Sequence, residues 1–345
     1  MSSAVVSIPE KAFEVRLAEH ADAGLSAANF DVVEVVVAEP GAGEVLVQVD
    51  YVPVAAAFKD LMKVHCQLPV PPWKPGDLVG VGGVGTVVAS NSPDLAVGDL
   101  VQSFKGWSEY WTGPAAQFVK LDGGAFPSPV YYLSQGPTAY YGMATVARAG
   151  EGDVVFVSGA AGGVGSLAGQ IAKARGATKV IGSAGSPEKV AYLVEELGFD
   201  AAFDYHDGPV LDRLREHAPE GINVFFDNVG GEQFEAAVQA AAPHARFALC
   251  GALSTQAANG EAVLPRFDLM TAITRHLEIR PFATYHTPDQ IQDWSVHFSQ
   301  WLAEGRFVYP HTIVEGGIQA APGVLLDLLA GKYRGSVSVR VGEPA

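Results

Sequence analysis

The chain has 345 residues, of which 48% are hydrophobic, and its formal net charge is −16. This length predicts two domains, and the acidic excess argues against nucleic acid as a partner because a phosphate backbone would be repelled. With Cys66 and Cys250 as its only cysteines, the sequence excludes a disulfide framework and fits a reducing compartment. It shows no signal-peptide pattern and no apolar run of bilayer length, so a cytoplasmic protein with no membrane partner is expected.

The first third of the chain consists of short strand patterns between glycine- and proline-rich turns. In GEVLVQVDYVPV the apolar residues Val45, Val47 and Val49 repeat with a period of two, which is typical of a strand. GVGTVVAS, VGDLVQSF and AQFVKLD are further strand candidates. Many short strands with little helix predict a barrel-like β domain.

From Gly136 onward, strand patterns alternate with helix patterns. After the helical stretch PTAYYGMATVAR, apolar runs are separated by amphipathic segments such as PEKVAYLVEELG and GEQFEAAVQAAA. Such alternation predicts βαβ units around a parallel sheet, and six strands make the doubly wound Rossmann fold that binds nucleotides. The predicted strands are VVFVSG, KVIGSA, AAFDY, NVFFDN, RFALCG and LEIRPFATY.

The last part of the chain is predicted to return to the first domain. After Pro288, the helical stretches DQIQDWSVHFSQWLAEG and GVLLDLLAGK precede the alternating strand SVSVRV. A final strand after a nucleotide domain most simply joins the β domain again. The expected domains are residues 1–128 with 310–345, and residues 129–309.

A glycine-rich turn joins the strand VVFVS to the next helix. It contains Ala160-x-Gly162-x-x-Gly165, the dinucleotide-binding spacing with alanine in first place. Gly162 would let the backbone approach a pyrophosphate, Gly165 would let the helix pack closely on the strand, and the helix N-terminus would attract the phosphates. A tight turn with glycines needed only for packing is the alternative. The strand before the turn and the helix after it favour dinucleotide binding.

The second strand of this region ends in GSAGSPEK. Sites for NAD usually carry Asp or Glu at this point to bind the ribose 2′-hydroxyl. Here no carboxylate precedes Glu188, which already lies on the next helix, and Lys189 follows it. Small residues leave room for a 2′-phosphate that Lys189 would neutralise, so NADPH/NADP+ is favoured over NAD. An ordinary solvated helix lysine is the alternative.

These segments resemble the zinc-independent medium-chain dehydrogenase/reductases, in particular the alkenal/prostaglandin reductases (leukotriene B4 12-hydroxydehydrogenase-like). AAGGVGSLAGQIAKARG, FFDNVGGEQFEAAV and EGRFVYPHTIVEGG carry the resemblance, which covers about residues 45–340. It implies an α/β protein with a GroES-like β-barrel catalytic domain, built from both chain ends, and a doubly wound Rossmann domain between them. It also implies NADPH-dependent reduction of a carbon–carbon double bond conjugated to a carbonyl, and a homodimer.

The resemblance also assigns cofactor roles by position. The pyrophosphate is assigned to Gly162, Gly163, Val164 and Gly165, and the adenosine 2′-phosphate with its ribose to Lys189 and Tyr205. The nicotinamide half is assigned to Asn228, Cys250, Leu253, Phe282 and Ala283, and its carboxamide to Thr138. The last cofactor residue is Tyr333, which replaces the first residue of the family's N-x-G-K motif.

The substrate side departs from the family pattern. Ala57 stands where the family has a tyrosine in DPYMR, and Gln256 replaces a second tyrosine. Without zinc, hydrogen-bond donors must polarise the substrate carbonyl. Gln256 donates a hydrogen bond but gives up no proton at neutral pH, so Lys59 and Tyr51 join it as catalytic candidates. A packed ring and a surface charge are the alternatives for these two, and further candidate donors are Tyr110, Tyr285, Tyr333, the cofactor ribose and water.

No metal site is expected. A catalytic zinc needs about three protein ligands, whereas Cys66 directly follows His65 and Cys250 lies in the nucleotide domain, where a small buried hydrophobe is its expected role. The leading hypothesis is a zinc-independent NADPH-dependent ene reductase. A quinone oxidoreductase is the nearest alternative because FKD at Phe58–Asp60 resembles the NYKD of that branch. An NADPH-binding redox sensor without turnover is the third hypothesis.

Overall fold

The computed structural model describes residues 8–66, 68–256, 264–283 and 286–342. These residues form two compact units. The first unit comprises the described residues up to Leu133 together with Thr312–Lys332 and those from Val337 onward, and the second comprises Ser134–His311 and Tyr333–Ser336. None of the helices described there has both the length and the apolar character needed to cross a membrane. The domain limits expected from the sequence stay a prediction, because compact units need not coincide with domains.

The first unit is mainly antiparallel sheet. In chain order its elements before residue 134 are β1 (Lys11–Leu17), β2 (Phe30–Val36), β3 (Glu44–Val54), α1 (Phe58–Leu61), β4 (Gly83–Ser90), β5 (Leu100–Ser103), β6 (Tyr110–Pro114) and β7 (Phe118–Lys120), with 3-10 turns at Ala27–Asn29, Ala115–Gln117 and Pro129–Leu133. β3 pairs with β4 along one edge and with β6 along the other, while β1 and β2 form a separate hairpin. The strands predicted from GEVLVQVDYVPV and GVGTVVAS are β3 and β4.

The second unit is a doubly wound α/β structure. Its elements are α2 (Gly136–Tyr140), β8 (Val154–Val157), α3 (Gly165–Ala174), β9 (Lys179–Ala184), α4 (Pro187–Glu195), β10 (Ala201–Asp204), α5 (Val210–His217), β11 (Ile222–Asp227), α6 (Gly231–Ala240), β12 (Ala241–Leu249), α7 (Leu253–Gln256), α8 (Leu269–Thr274), β13 (Glu278–Pro281) and α9 (Pro288–Ala303). Among the described residues the strands form one parallel sheet in the order β10-β9-β8-β11-β12-β13. In this order the direction of winding reverses between β8 and β11, where such folds bind ligands. The α/β class and the predicted strands are confirmed.

The final part of the chain joins the sheet of the first unit. It contains β14 (His311–Val314), a 3-10 turn at Ile318–Ala320, α10 (Ala321–Leu329) and β15 (Ser336–Arg340). β15 pairs antiparallel with β3, with Val339 opposite Val52, and β14 lies next to it at the end of the sheet. The prediction that SVSVRV returns to the β domain is therefore confirmed.

Aromatic rings on neighbouring strands fill the core of the second unit. Phe156 of β8 stacks on Phe225 of β11 with ring centroids 5.1 Å apart, and Phe225 meets Phe247 of β12 edge-on at 5.2 Å. Leu214 of α5 and Ala237 of α6 belong to the same fully buried cluster. Burial of each such ring contributes roughly 1.5–3 kcal/mol, so this layer holds in place the strands at whose ends the candidate site lies.

The helical stretch predicted at PTAYYGMATVAR consists of two parts. α2 is followed by a π-helical turn over Tyr141–Val146. A Cβ added at Gly142 would lie within 2.6 Å of the rings of Phe226 and Phe282. The backbone of the turn thus packs directly against these rings, which is possible because Gly142 has no side chain. π turns occur mostly near functional sites, and the hydrophobic pattern alone gave no sign of this one.

A partly buried carboxyl group lies on β3. Thr86 Oγ1 donates a hydrogen bond to Asp50 Oδ2 at 3.0 Å, and the Arg340 guanidinium lies over the Tyr51 ring, 4.9 Å from its centroid. Burial raises the pKa of Asp50 to about 6, although the hydrogen bond from Thr86 and the charge of Arg340 act in the opposite direction. The folded state therefore binds a proton at Asp50 more tightly than the unfolded chain does.

This carboxyl predicts a pH-dependent stability. Because its pKa is raised on folding, the stabilising contribution is fully present below the unfolded value of 3.8 and is lost as pH rises through about 6. Asp50→Asn should increase the free energy of unfolding near pH 7.5 by on the order of 1–3 kcal/mol and flatten its decline between about pH 4 and 7. Urea denaturation across this range measures the effect, with Asp94→Asn at an exposed loop position as control. An Asp50→Asn variant with the wild-type pH profile would contradict it.

Candidate cofactor site and active site

The glycine turn (residues 158–164) joins β8 to α3 and begins at the carboxyl end of β8. A Cβ at Gly165 would overlap the carbonyl oxygen of Gly159 and lie 2.8 Å from the Cα of Ala160, so only glycine lets α3 begin this close to the turn. Gly162, in contrast, is exposed, and a Cβ there would meet only the Gly159 oxygen at 3.4 Å. The open space above Gly162 and the N-terminus of α3 together offer backbone N–H groups to an anion.

Hydrogen bonds join the ends of β8 and β11 at the point where the sheet reverses its winding. Asp227 Oδ1 accepts hydrogen bonds from Ser158 Oγ at 2.7 Å and from the backbone N–H groups of Val229 and Gly230 at 2.9 Å. Asn228 Nδ2 donates to the Ser158 carbonyl at 2.7 Å. Burial raises the pKa of Asp227, against these hydrogen bonds, which lower it. The network rigidifies the floor of the candidate site.

The residues expected at the adenosine end lie beyond the ends of β9 and β10. Ser186 caps α4 and accepts a hydrogen bond from the Lys189 N–H at 3.3 Å. The half-exposed ring of Tyr205 lies beside Gly185, whose Cβ would come 3.0 Å from the Tyr205 hydroxyl. Burial, and then the nearby charge of Arg334, lowers the pKa of Lys189. Lys189 is thus a half-buried residue rather than a solvated one, and Tyr205 belongs to the same unit.

The residues expected along the nicotinamide half follow β11, β12 and β13. Asn228 comes directly after β11, Cys250 directly after β12, and Leu253 opens α7, its N–H donating to the Asn228 carbonyl at 3.1 Å. Burial, and then the charge of Asp227, raises the pKa of the Cys250 thiol to about 12. Cys250 is half-buried and its raised pKa favours the protonated thiol, while the role of a small buried hydrophobe expected from the sequence stays a prediction.

Phe282, Ala283 and Thr138 lie close to the π-helical turn. The Phe282 N–H donates to the Leu249 carbonyl at 3.2 Å, and its ring meets that of Tyr141 with centroids 5.8 Å apart. Ala283 follows and is exposed. Thr138 Oγ1 lies 2.9 Å from Nε2 of His286, and burial lowers the pKa of this histidine. These contacts bring together side chains that are 148 positions apart in the sequence.

The glycine turn and the adenosine end together fit a 2′-phosphorylated dinucleotide. The turn leaves room for a pyrophosphate at Gly162, the end of β9 carries no carboxylate that would select an unphosphorylated ribose, and Lys189 follows in the first turn of α4. The thirteen residues assigned to the cofactor all belong to the second unit. This unit therefore carries the whole candidate cofactor site.

Comparison with known proteins agrees with this geometry. Residues 163–304 match the family model described as zinc-binding dehydrogenase, and residues 14–121 match the model described as N-terminal domain of oxidoreductase. An NADPH-dependent curcumin reductase of Escherichia coli (strain K12) is 32% identical over 323 residues, which cover 91% of this chain and 92% of that protein. The chain belongs to the medium-chain dehydrogenase/reductase family. The resemblance seen in the sequence is confirmed.

Further comparisons extend this result over nearly the whole chain. The 2-alkenal reductase (NADP(+)-dependent) of Nicotiana tabacum is 33% identical over 277 residues, 79% of each chain. The crystal structure of CurA from Vibrio vulnificus in complex with NADPH matches with a TM-score of 0.88 at 28% identity and covers 96% of this chain and 100% of that one. The medium-chain reductase architecture therefore applies to both units.

The catalytic candidates of this medium-chain reductase have different environments. Gln256 ends α7 in the second unit and is half-buried. Its backbone N–H donates a hydrogen bond to the Ala252 carbonyl at 3.0 Å. Lys59 lies on α1 in the first unit and is only 4% exposed, and burial lowers its pKa. Tyr51, on β3 of that unit, is a buried ring covered by Arg340. Lys59 is thus not the surface charge considered as an alternative.

The other proton donors considered from the sequence are less informative. Burial, and then the charge of Glu109, raises the pKa of Tyr110. Tyr285 lies outside the described residues. Tyr333 is half-buried and belongs to the second unit. None of these observations assigns a proton to one of the three.

No metal centre is evident in the part of this reductase that the structure describes. Across residues 8–66, 68–256, 264–283 and 286–342, no three His, Cys, Asp or Glu side chains are grouped so as to hold a metal ion. Cys66 instead accepts a hydrogen bond at its Sγ from the Leu68 N–H at 3.3 Å. The absence of zinc expected from the sequence stays a prediction.

Proposed function

We propose that this chain is an NADPH-dependent ene reductase, which transfers a hydride to the β-carbon of an α,β-unsaturated carbonyl compound. The cofactor end of the proposal is carried by Lys189 in the first turn of α4, together with the lack of a carboxylate at the end of β9 that would select NAD. The substrate class is supported by relatives whose names include 2-alkenal reductase and curcumin reductase. When bound, NADPH supplies the hydride.

The chain's own residues hold the cofactor in four places. The backbone of Gly162 to Gly165 binds the pyrophosphate at the N-terminus of α3, and Lys189 with Tyr205 binds the phosphorylated ribose. Asn228, Cys250 and Leu253 line the nicotinamide half, with Phe282 and Ala283 beside the ring. Thr138, oriented by its contact with His286 Nε2, faces the carboxamide, and Tyr333 completes the set.

Catalysis requires a donor for the substrate carbonyl oxygen, on which negative charge grows as the β-carbon accepts the hydride. In the proposed mechanism the Gln256 amide N–H donates to this oxygen, because an amide is a neutral donor that does not titrate. Lys59 is a separate candidate for the proton donor, since burial already disfavours its charged form and so makes proton release easier. Tyr51 stays a weaker candidate, because Arg340 covers its ring. A proton from Lys59, from Tyr51 or from water completes the reduction at the α-carbon.

We further propose that this reductase works without zinc. Cys66 and Cys250 are the only thiols of the chain, and the pKa of the Cys250 thiol, raised to about 12, makes it a poor ligand because a metal binds the thiolate. The carbonyl is then polarised by hydrogen bonds alone. A quinone oxidoreductase is the alternative, and the assay described below separates the two.

We infer that the protein is a homodimer joined through the second unit. α8 and the residues before it present a group of exposed apolar side chains, next to β13, which is the last strand of the sheet order among the described residues. The group consists of Leu264, Phe267, Leu269, Met270 and Ile273. Exposed apolar patches and open sheet edges are both typical of protein interfaces. A substrate-facing wall is the competing role for this segment.

The cofactor and substrate assignment predicts the following kinetics. The purified protein should oxidise NADPH with a 2-alkenal or enone faster than with a quinone, and prior chelation should not change the rate. Lys189→Ala should raise the KM for NADPH about ten- to a hundredfold and leave the KM for NADH unchanged, because a charge-assisted contact to the 2′-phosphate is lost. Cofactor oxidation, followed by absorbance at 340 nm, measures the rates and both KM values. Lys173→Ala, at the far end of α3, is the control. Equal use of NADPH and NADH by the wild type would refute the assignment.

The proposed donor predicts an effect on turnover without an effect on cofactor binding. Gln256→Leu removes the N–H donor and keeps the approximate volume, so kcat on the best alkenal should fall at least about tenfold, with about 10²–10³ as the upper range for a water-excluded site. The Kd for NADPH, from fluorescence titration, should stay the same. Gln239→Leu, an exposed glutamine on α6, is the matched control. If Gln256→Leu retains full kcat, the donor must be another residue.

The proposed dimer predicts a response to charges placed on α8. Sedimentation velocity at micromolar concentration should show a dimer for the wild type and a monomer for Met270→Glu/Ile273→Glu, because burying a carboxylate at an apolar contact is unfavourable. Val97→Glu is the control: Val97 lies in the first unit and is 65% exposed, against 64% for Met270. A monomeric wild type, or a double variant that remains dimeric, would exclude this interface.

A further inference from the structure

The chain segment Tyr333–Ser336 belongs to the second unit and lies on the glycine turn. The Gly335 N–H donates to the Ala161 carbonyl at 2.8 Å, and Gly335 forms a parallel bridge with Gly162. The Ser336 N–H donates to the Pro310 carbonyl at 2.9 Å. This 333–336 segment is therefore held by its backbone against the turn that is assigned to the pyrophosphate.

A glycine is required at the bend of this segment. Gly335 has φ +66°, which L side chains rarely adopt, and a Cβ there would overlap the carbonyl oxygen of Pro310. The residue immediately before the bend is Arg334, and its backbone position is fixed by these contacts. Its side chain thus leaves the segment at a defined place beside the glycine turn.

The side chain of Arg334 packs against α4. Its guanidinium lies over the Tyr192 ring, with Cζ 4.3 Å from the ring centroid. Tyr192 is buried and follows Lys189 by three positions, which places both residues on one face of the helix. A guanidinium that stacks on a ring has its N–H groups at the edge of the stack, in a planar fork whose geometry matches the oxygens of a phosphate.

Arg334 also forms an ion pair with a glutamate at the C-terminal end of the same helix. Its ion pair with Glu196 spans 3.4 Å between side chains that are 48% and 60% exposed. An ion pair of this kind contributes little, because solvent screens it. Meanwhile Arg334 lies close enough to Lys189 for their like charges to repel, which adds to burial in lowering the pKa of Lys189. A dianion bound between the two cations would attract each of them and offset their mutual repulsion.

We propose that Arg334 is a second cationic ligand of the adenosine 2′-phosphate, acting with Lys189, and that the 333–336 segment couples this end of the site to the pyrophosphate turn. The proposal rests on the NADPH dependence proposed above. It adds a specificity-determining residue that lies 145 positions beyond Lys189 in the sequence. The alternative is that Arg334 only ties the 333–336 segment to α4.

Calorimetric titration with adenosine 2′,5′-bisphosphate and with adenosine 5′-monophosphate tests this directly, since the two probes differ only by the 2′-phosphate. Arg334→Ala should weaken the bisphosphate about ten- to a hundredfold and change the monophosphate less than about twofold. The affinity of Arg334→Lys for the bisphosphate should fall between those of Arg334→Ala and the wild type, because lysine keeps the charge and lacks the planar pair of guanidinium donors. NADPH and NADH should show the same pattern as the two probes.

Two control variants separate binding from structure. Glu196→Gln removes the ion pair and keeps the guanidinium, so it should bind the bisphosphate at least as well as the wild type. Arg306→Ala removes an arginine of similar exposure, 51% against 48%, that is also paired with a nearby glutamate, and should have no effect. Thermal unfolding of every variant shows whether the fold is retained.

The outcomes distinguish the two proposals. If the wild type binds both probes equally, the NADPH dependence itself fails. If the wild type prefers the bisphosphate and Arg334→Ala binds it equally well, only the role of Arg334 is wrong. If Arg334→Ala weakens both probes to the same extent, Arg334 serves only to hold the 333–336 segment, and the proposal is overturned.

Discussion

The close approach of α3 to the turn after β8 is the constraint on which the candidate site depends. It exists because Gly165 has no side chain that would collide with the Gly159 carbonyl. Once α3 begins there, its N-terminus lies at the edge where the parallel strands end, since all six run in the same direction. Asn228 and Cys250 each follow the end of a strand directly, and Lys189 lies in the first turn of the helix after β9. The site is thus a consequence of strand order and of one missing Cβ.

Electrostatics acts on this site over a short range. With a formal net charge of −16, the protein as a whole repels a polyanionic cofactor. At physiological salt, however, charges farther than about 8 Å are largely screened. Affinity is then decided by what lies within contact distance, which in the proposed site is the helix N-terminus at the glycine turn and the cations around α4. A local cluster of positive charge is therefore compatible with an acidic surface elsewhere.

The regular parts of this architecture could be predicted from the sequence, and the contacts between distant segments could not. The alternation of VVFVSG, KVIGSA and the runs that follow gives the parallel sheet because local periodicity encodes strand and helix. The positions of Lys189 and Gly162 follow from the same pattern, since each belongs to a motif only a few residues long. Arg334 and His286 lie more than a hundred positions from Lys189 and Thr138, their respective neighbours in the fold. No local pattern marks such pairs, because tertiary packing alone brings them together.

The environment of Cys250 has a consequence for the lifetime of the protein. Conjugated enals and enones, the substrates proposed for this site, are electrophiles that add covalently to cysteine thiolates. A thiol whose pKa is raised to about 12 by burial and by Asp227 is almost entirely protonated at neutral pH, and the thiol form is a poor nucleophile. The same buried carboxylate that joins β8 to β11 thus protects the adjacent sulfur from alkylation. A catalyst that handles reactive carbonyl compounds would in this way avoid inactivation by its own substrates.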